Sequence, residues 1–311
     1  MENYKLSDDA KVFLEKLLQF WPGMVRPSWR KKIERSVHFH SLLANQKEVS
    51  LELVIEAVKE IVPPSFEPLL LRLTDPQALK DIVSLQENVD ESNPGIAIRC
   101  WDKPSQLPKY SSTKDPSSMK IVAISASSRK GGNTTRIVEE VLAGAEKAGA
   151  KTELFPLDSL NISPCTGCLS CHKKDLSTFC VIKDDMNQLY QKILDSDGLI
   201  YGFPIFTSRE SALSAAFLDR MSALRSPLHI SKLKEMKPGV LVSTWGWPSS
   251  DSYDHVVEFV AMVLSMFKID TVEVVTGSGF WGAYHKGKID QLAKDGLREA
   301  FAAGQRLVSG G

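Results

Sequence analysis

Apolar residues recur at helical spacing through the first sixty residues of the chain. The three stripes are Ala10, Phe13, Leu14, Leu17, Leu18 and Trp21; Trp29, Ile33, Val37 and His40; and Leu51, Val54, Ile55, Val58, Ile61 and Val62. Positions three and four apart share one face of a helix, so the stripes predict three amphipathic helices. Ser7 and Ser50 stand at the expected N-caps of the first and third, and Pro63 and Pro64 end the third. We predict a small helical domain over residues 1–66.

Residues 67–117 show no sustained pattern. An apolar stretch over 69–73 and a short helix-like piece over 76–85 give way to a segment rich in proline, serine and lysine. Such a composition is typical of an extended linker. We therefore predict that residues 67–117 form an extended linker between two domains.

From residue 118 onwards, short apolar runs alternate with amphipathic helical periods. The predicted strands are 119–125, 151–156, 198–203, 239–244 and 270–275, and the predicted helices are 133–148, 184–196, 210–224, 252–267 and 288–308. Strands that alternate with helices indicate a parallel sheet covered on both faces. We predict a doubly wound five-stranded α/β domain over residues 118–311.

The composition of the 311 residues is that of a folded protein without a charge bias. Hydrophobic residues make up 43% and charged residues 24%, and 38 basic side chains balance 38 acidic ones. This balance disfavours a dominant surface for nucleic acid or anionic membrane. No apolar run approaches the ~18 residues that span a membrane, and the polar N-terminus is unlike a secretory signal. We expect a cytoplasmic protein without membrane insertion.

A polar loop joins the first strand of the α/β domain to its first helix: Ser125-Ala-Ser-Ser-Arg-Lys-Gly-Gly-Asn-Thr-Thr135. Small hydroxyl residues and glycines leave backbone N–H groups exposed at the positive end of the helix dipole. Arg129 adds a forked cation that suits a phosphate. The loop lacks the spacing of a triphosphate loop or of a dinucleotide fingerprint. It predicts a phosphomonoester site, with a capped helix after a polar loop as the alternative.

Four of the five cysteines lie close together in the chain. Cys165, Cys168 and Cys171 follow at intervals of three residues, and Cys180 comes after eight intervening residues. This ferredoxin-like spacing predicts a [4Fe-4S] cluster. Zinc and unoccupied thiols are the alternatives, although structural zinc usually takes two separated pairs of cysteines. The acidic pair at 184–185 is expected to cap the next helix.

Two segments carry a resemblance to a known family. Loop 125–135 and the segment Tyr201-Gly-Phe-Pro-Ile-Phe-Thr-Ser-Arg-Glu-Ser-Ala-Leu-Ser-Ala-Ala-Phe-Leu-Asp-Arg220 resemble the flavodoxin-like NAD(P)H-dependent FMN reductases, specifically their iron–sulfur flavoprotein branch. The resemblance covers roughly residues 118–308. It implies the strand order 2-1-3-4-5, an FMN cofactor, NAD(P)H as co-substrate and a homodimer or higher homo-oligomer. In that branch the last gap of the cysteine motif is shorter than the one that precedes Cys180.

The resemblance also implies where FMN is held. For the phosphate it indicates Ser125, Ser127, Arg129, Asn133, Thr134 and Thr135, with Ser125 in place of the family's glycine. For the ring it indicates Pro204, Ile205, Phe206 and Ser208, with Ser208 in place of a glycine and Ala215 in place of a lysine. Sheet topology adds Thr244, Trp245 and Gly246 at the same crevice. Either Trp245 or Trp247 is expected to stack on the flavin or to line the nicotinamide side, with interface packing as the alternative. No side chain is expected to act as acid or base, because the cofactor carries the chemistry.

The function that the resemblance implies is an FMN-dependent oxidoreductase. Electrons would pass from NAD(P)H or a reduced carrier through FMN to a small-molecule or protein acceptor. The alternatives are a non-enzymatic flavodoxin-type electron carrier and a flavin-binding regulatory module. The zero net charge favours the reductase, because a usual flavodoxin is strongly acidic. At the other end of the chain, 20–34 and 49–57 resemble the small helical module of a light-independent protochlorophyllide reductase subunit, a module that accompanies redox enzymes.

Overall fold

The chain folds as two compact units, Met1–Leu85 and Gln86–Gly311. Each unit has its own apolar core. The computed structural model describes residues 4–87, 97–101, 114–173, 178–226, 228, 230–280, 289 and 293–310. Within those ranges, none of the helices combines the length and the apolar character needed to cross a membrane.

The first unit is a helical bundle. Its elements are β1 (Lys5–Leu6), α1 (Asp8–Leu18), α2 (Arg26–Leu43), β2 (Glu48–Val49), α3 (Leu51–Ile61), α4 (Glu67–Thr74) and α5 (Pro76–Glu87). The three predicted helices are confirmed as α1, α2 and α3, and their stripes meet in one core around Leu17, Ile33 and Val58. Ser50 caps α3 as predicted, because its hydroxyl accepts the N–H of Leu53 at 3.5 Å.

The second unit is built on one twisted, mainly parallel sheet. Its strands are β3 (Ala97–Trp101), β4 (Lys120–Ser125), β5 (Lys151–Pro156), β6 (Gly198–Phe206), β7 (Arg209–Glu210), β8 (Lys237–Thr244) and β9 (Ile269–Ser278). The five parallel strands lie in the order β5-β4-β6-β8-β9. This is the predicted order 2-1-3-4-5, so the predicted α/β fold is confirmed.

Helices cover both faces of this sheet. They are α6 (Asn133–Lys147), α7 (Met186–Asp195), α8 (Ala212–Arg220), α9 (Asp254–Ser265) and α10 (Lys294–Ser309). On one face, Ile200 of β6 belongs to the core formed with α6 and α10. On the other, Tyr201 stacks on Phe217 of α8 with ring centroids 5.3 Å apart. Alternate residues of β6 thus pack against different helices, as expected for a sheet buried on both faces.

The segment predicted as an extended linker contains regular structure. Helices α4 and α5 occupy 67–87, and Leu70 of α4 is only 7% exposed in the helical core. Strand β3 pairs antiparallel with β9, with Ala97 opposite Ser278 and Trp101 opposite Val274. The helix-like piece over 76–85 is confirmed as α5. The prediction missed α4 because it is only eight residues long, and it missed β3 because the partner of that strand lies far along the chain. The boundary between the units follows Leu85 rather than residue 66.

Two predicted boundaries in the second unit also shift. The predicted strand 198–203 continues to Phe206, because Ile205 and Phe206 pair with Glu210 and Arg209 of β7 in a hairpin. The predicted helix 210–224 is α8 followed by a 3-10 turn, Met221–Leu224. The hairpin extends β6 beyond the body of the sheet, and this extension shapes the site described next.

Candidate functional site

A cavity of about 430 Å³ opens where β4, β6 and β8 end. The carboxyl ends of neighbouring parallel strands meet there, at the position where open α/β sheets bind ligands. The residues that line it are Ser127, Arg129, Gly132, Asn133, Thr134, Pro204, Ile205, Phe206, Thr207, Thr244, Trp245, Gly246, Trp247, Tyr253 and Phe280. Three chain segments, each at the end of one of these strands or directly after it, therefore supply most of the walls.

The first wall is the predicted anion-binding loop. Helix α6 begins at Asn133, and among the described residues no side chain caps its N-terminus, where Gly132 stands. A Cβ at Gly132 would lie 2.9 Å from the Ser127 hydroxyl and 3.1 Å from the Arg129 carbonyl oxygen, so a larger residue there would crowd the loop. Ser127 is buried, and its hydroxyl accepts the Arg129 N–H at 3.2 Å. The loop thus leaves the positive end of α6 open toward the cavity.

Two hydroxyl pairs support this loop from behind and from the side. Ser125 and Thr135 are buried, and their hydroxyl oxygens lie 2.8 Å apart. Neither is among the lining residues, because each side chain is engaged with the other behind the loop. Thr134 does line the cavity, and its hydroxyl lies 2.6 Å from that of Thr244 at the end of β8. The loop is therefore fixed to two strands.

The second wall is the end of β6 and its hairpin. Pro204, Ile205, Phe206 and Thr207 line the cavity, whereas Ser208 does not. Thr207 and Ser208 both adopt left-handed backbone conformations, with φ of 52° and 60°. Two consecutive positive φ values give the tight turn that matches strand twist in a two-residue hairpin. The turn carries Thr207 to the cavity and directs Ser208 away from its lining.

The third wall is aromatic. Trp245 is 3% exposed, and its indole N–H donates to the Ser249 carbonyl at 2.9 Å. The Trp245 and Tyr253 rings meet edge to face with centroids 5.6 Å apart. The N–H of Phe280 donates to the Trp245 carbonyl at 3.0 Å, which ties the segment after β9 to this wall. Aromatic rings thus cover the side of the cavity that faces β8 and β9.

Four lining residues were not predicted: Gly132, Thr207, Tyr253 and Phe280. Gly132 and Thr207 lie between predicted residues of the first and second walls, so treating each predicted segment as continuous would have included them. Phe280 follows the end of β9, which topology places at the same edge of the sheet. Tyr253 carries no sequence signal, because only the packing of its ring on Trp245 brings it to the cavity.

The four clustered cysteines lie on a separate loop. All are free thiols; Cys165 and Cys168 are exposed, and Cys171 and Cys180 are half-buried. The N–H of Gly167 donates to the Cys165 sulfur at 3.5 Å. Within the described residues, which omit 174–177, no three cysteine, histidine or acidic side chains stand close enough to hold a metal ion. The thiols therefore share one loop without converging on one point.

The environments of these thiols differ. A hydrogen bond with the Ser170 hydroxyl lowers the pKa of Cys168 to about 7. Burial raises the pKa of Cys171, and the neighbouring Cys180 thiol raises it further. After the loop, Asp184 accepts the N–H of Met186, the first residue of α7, at 3.2 Å. The residue at the N-cap position, Asp185, makes no side-chain capping bond, so of the predicted acidic pair only Asp184 bonds the first turn of α7.

Comparison with known proteins agrees with this architecture. The sequence of residues 119–280 matches the family described as NADPH-dependent FMN reductase. Iron-sulfur flavoproteins of Methanosarcina thermophila and of Methanocaldococcus jannaschii are each 36% identical over 107 residues, which is 34% of this chain and 54% of theirs. The match thus spans about half the length of these curated relatives.

Several solved structures resemble this chain at low sequence identity. The NAD(P)H:quinone oxidoreductase from Methanothermobacter marburgensis is 16% identical and has a TM-score of 0.47, over 61% of this chain and 97% of that one. The family match carries more weight, because it extends over more than half of the 311 residues and includes most of the cavity walls. On that match, this chain belongs to the NADPH-dependent FMN reductase family.

Proposed function

We propose that this protein binds FMN in the cavity at the ends of β4, β6 and β8 and works as an FMN-dependent oxidoreductase. NAD(P)H is the proposed electron donor, with a reduced carrier as the second possibility. The observation that carries the proposal is the open N-terminus of α6, with Gly132 in place of a capping side chain and Arg129 beside it. A cytoplasmic location and a homodimer stay predictions.

The residues present fit FMN. Free N–H groups at a helix N-terminus suit a phosphate dianion, and Arg129 can add a charge-assisted hydrogen bond. The second and third walls offer a largely apolar, aromatic enclosure for a flat ring, from Ile205 and Phe206 on one side to Trp245 and Trp247 on the other. A cavity of about 430 Å³ lies in the ordinary range for small-molecule sites.

Bound FMN would supply the centre that accepts and releases electrons. The chain's own residues bind and shield it. Among the described residues that line the cavity, none carries a carboxyl, imidazole, ammonium or thiol group. Proton transfer by such a side chain is therefore not part of the proposal. The aromatic wall excludes water from the ring, and the loop before α6 fixes the phosphate end.

The cysteine loop is proposed to hold a [4Fe-4S] cluster. Four free thiols at ferredoxin-like spacing are the donors that such a cluster requires. The N–H of Gly167 donates to the Cys165 sulfur, and hydrogen bonds of this kind to a ligating thiolate help to set the reduction potential of a cluster. The donor chemistry fits the cluster, although the thiols must converge when it binds.

Titration of FMN into flavin-free protein, followed by flavin fluorescence, tests the proposed site. We expect Arg129→Ala to raise the dissociation constant at least about tenfold, because it removes a charge-assisted phosphate contact. Lys130→Ala is the matched control: it removes an exposed positive charge from the same loop, outside the cavity lining. Wild-type protein that does not bind FMN at micromolar concentration would overturn the proposal.

Anaerobic reduction separates the enzyme from the electron carrier. For a reductase, NADH or NADPH should bleach the absorbance of bound FMN. Once an acceptor is added, the flavin should reoxidise and the nicotinamide should be consumed over many turnovers. Bleaching by a chemically reduced viologen, but by neither nicotinamide, would exclude NAD(P)H as the donor and leave an oxidoreductase fed by a reduced carrier or a non-enzymatic electron carrier. Flavin that binds but cannot be reduced by any donor would indicate the regulatory module.

A further inference from the structure

The two ends of the cysteine loop, defined here as residues 164–183, are joined at their base. The N–H of Asn161 donates to the Asp185 carboxylate at 2.8 Å, and the N–H of Asp185 donates to the Asn161 carbonyl at 3.1 Å. The N–H of Ser163 donates to the Asp184 carboxylate at 2.9 Å. These four residues, which we name the neck, bring the start and the end of the loop together.

A single arginine from another element holds the neck. One terminal nitrogen of Arg220, at the end of α8, donates to Asp184 Oδ2 at 2.6 Å and to the Ser163 carbonyl at 2.8 Å. The other donates to Asp184 Oδ1 at 2.9 Å. The Arg220 carbonyl in turn accepts the hydroxyl of buried Tyr190 at 2.9 Å. The guanidinium fork therefore touches both ends of the loop at once.

The ion pair of Arg220 and Asp184 is almost completely buried. The side chains of Arg220 and Asp184 are 1% and 2% exposed. Among ion pairs between described residues, it is the one whose two partners are both nearly inaccessible to water. Two charges lose much hydration when buried, and apolar side chains of similar size often stabilise a core as well or better. Retention of the pair points to a specific positioning task.

The loop that the neck closes has little structure of its own. Its described part contains one short 3-10 turn, Ser170–His172, and left-handed positions at Gly167 and Leu169. Such a segment samples many conformations when its ends are free, and fixing the ends removes part of that freedom before a ligand binds. The separation and direction of the ends then govern how readily four thiols converge.

We propose that Arg220, acting through Asp184, is a positioning residue for the cysteine site. It fixes the two ends of the cysteine loop so that the four thiols can close around a cluster. This inference rests on the cluster proposed above and adds the residue pair that prepares the loop for it. The hydrogen bonds of the Arg220 guanidinium go to Ser163 and Asp184 and to none of the thiols, so its geometric hold on the loop passes through the neck.

The test is anaerobic reconstitution of the full chain with ferrous iron and sulfide. Iron and sulfide per chain are measured and divided by the fraction of chains that bind FMN, so that a general loss of folded protein does not count. Wild-type protein should take up about four irons. Arg220→Met should take up at least about fivefold less. Arg220→Lys, which keeps the charge but loses the fork, should lie between the two.

Arg306→Met is the matched control. Arg306 also makes a two-pronged pair with a carboxylate, Glu273, but on α10 and β9, away from the neck. It should load iron as wild type does. Asp184→Asn is the second variant, because it keeps the size of the side chain while removing its charge, and it should lose iron as Arg220→Met does.

Four outcomes would overturn or limit the inference. If Arg220→Met and Asp184→Asn load iron as wild type does, the positioning role is wrong. If Arg220→Met, Arg220→Lys and Asp184→Asn all lose FMN binding, the pair supports the whole unit and a loop-specific role is wrong. If Arg306→Met loses as much iron, the effect is not specific. Wild-type protein that binds FMN but takes up no iron would overturn the cluster and this inference together and leave the flavin site standing.

Discussion

The hydroxyl oxygens of Thr134 and Thr244 lie 2.6 Å apart at the inner edge of the cavity. Thr134 belongs to the first turn of α6, and Thr244 ends β8; both side chains are buried and both line the cavity. The contact joins the loop proposed for the phosphate to the aromatic segment that begins at Trp245. This hydrogen bond therefore links the two walls that would contact opposite ends of FMN.

Thr244→Val tests this coupling. The substitution keeps the shape but leaves the Thr134 hydroxyl without its partner, which costs about 1 kcal/mol. We expect a similar loss in the free energy of unfolding and a FMN dissociation constant about fivefold higher, measured by urea unfolding and by fluorescence titration. The control is Ser243→Ala, on the opposite face of β8, whose buried hydroxyl has no partner among the described residues. That variant should be as stable as wild type or more so, and equal behaviour of the two variants would refute the coupling.

Features that depend on residues close together in the chain could be predicted from the sequence. Ser127, Arg129 and Asn133 lie within seven residues, so their chemistry and their helix could be recognised together. The strand order followed from the alternation of strands and helices together with the family resemblance. Both depend on short-range patterns and on general rules of chain topology.

The features that sequence analysis missed depend on distant partners. Strand β3 forms by pairing with β9, which lies far along the chain. Ile98 and Cys100 of β3 pack on a core that is formed mainly by later residues. Tyr253 reaches the cavity only through its ring contact with Trp245. Ser208 was predicted as a ring contact, but the left-handed turn brings its neighbour Thr207 to the cavity instead.

Gly144 and Gly304 permit the close crossing of α6 and α10. A Cβ at Gly304 would lie 1.8 Å from the Val141 carbonyl oxygen, and one at Gly144 would lie 1.9 Å from that of Phe301. Gly304→Ala should therefore force the helices apart and lower the free energy of unfolding by about 2–3 kcal/mol. Urea unfolding followed by circular dichroism measures this. Glu299→Ala, exposed on the same helix, should change it by less than about 0.5 kcal/mol; a Gly304→Ala variant as stable as the control would contradict the close crossing.

The turn after β6 stores backbone strain at Ser208. Its φ of 60° is disfavoured for a residue with a Cβ and is free for glycine. Because Ser208 lies outside the cavity lining, Ser208→Gly should raise the free energy of unfolding by about 0.5–1 kcal/mol and leave FMN binding unchanged. Glu299→Gly, exposed in the interior of α10, is the control of opposite sign, since glycine in a helix interior weakens the helix by about 0.5–1 kcal/mol. Destabilisation by both substitutions would rule out strain at Ser208.

The ionisation of Asp184 should make stability depend on pH in the acid range. Burial alone would raise the pKa of Asp184, but hydrogen bonds from Arg220 and from the Ser163 N–H outweigh it, and the pKa lies below its ordinary value of 3.8. A carboxyl whose pKa is lowered by folding contributes its full stability above the unfolded value and loses it as pH falls through the folded value.

Asp184→Asn should therefore cost about 3 kcal/mol at pH 7, as expected when one partner of a buried pair is removed. The difference in the free energy of unfolding between Asp184→Asn and wild type should shrink steadily below about pH 4. There the Asp184 carboxyl of the unfolded wild-type chain takes up its proton before that of the folded protein does. Urea unfolding of metal-free protein at pH 7, 5, 4 and 3 measures both free energies. Glu299→Gln, an exposed carboxyl on α10, should run parallel to wild type throughout. A difference between Asp184→Asn and wild type that stays constant down to pH 3 would show that the Asp184 carboxylate is not held in its charged form by Arg220.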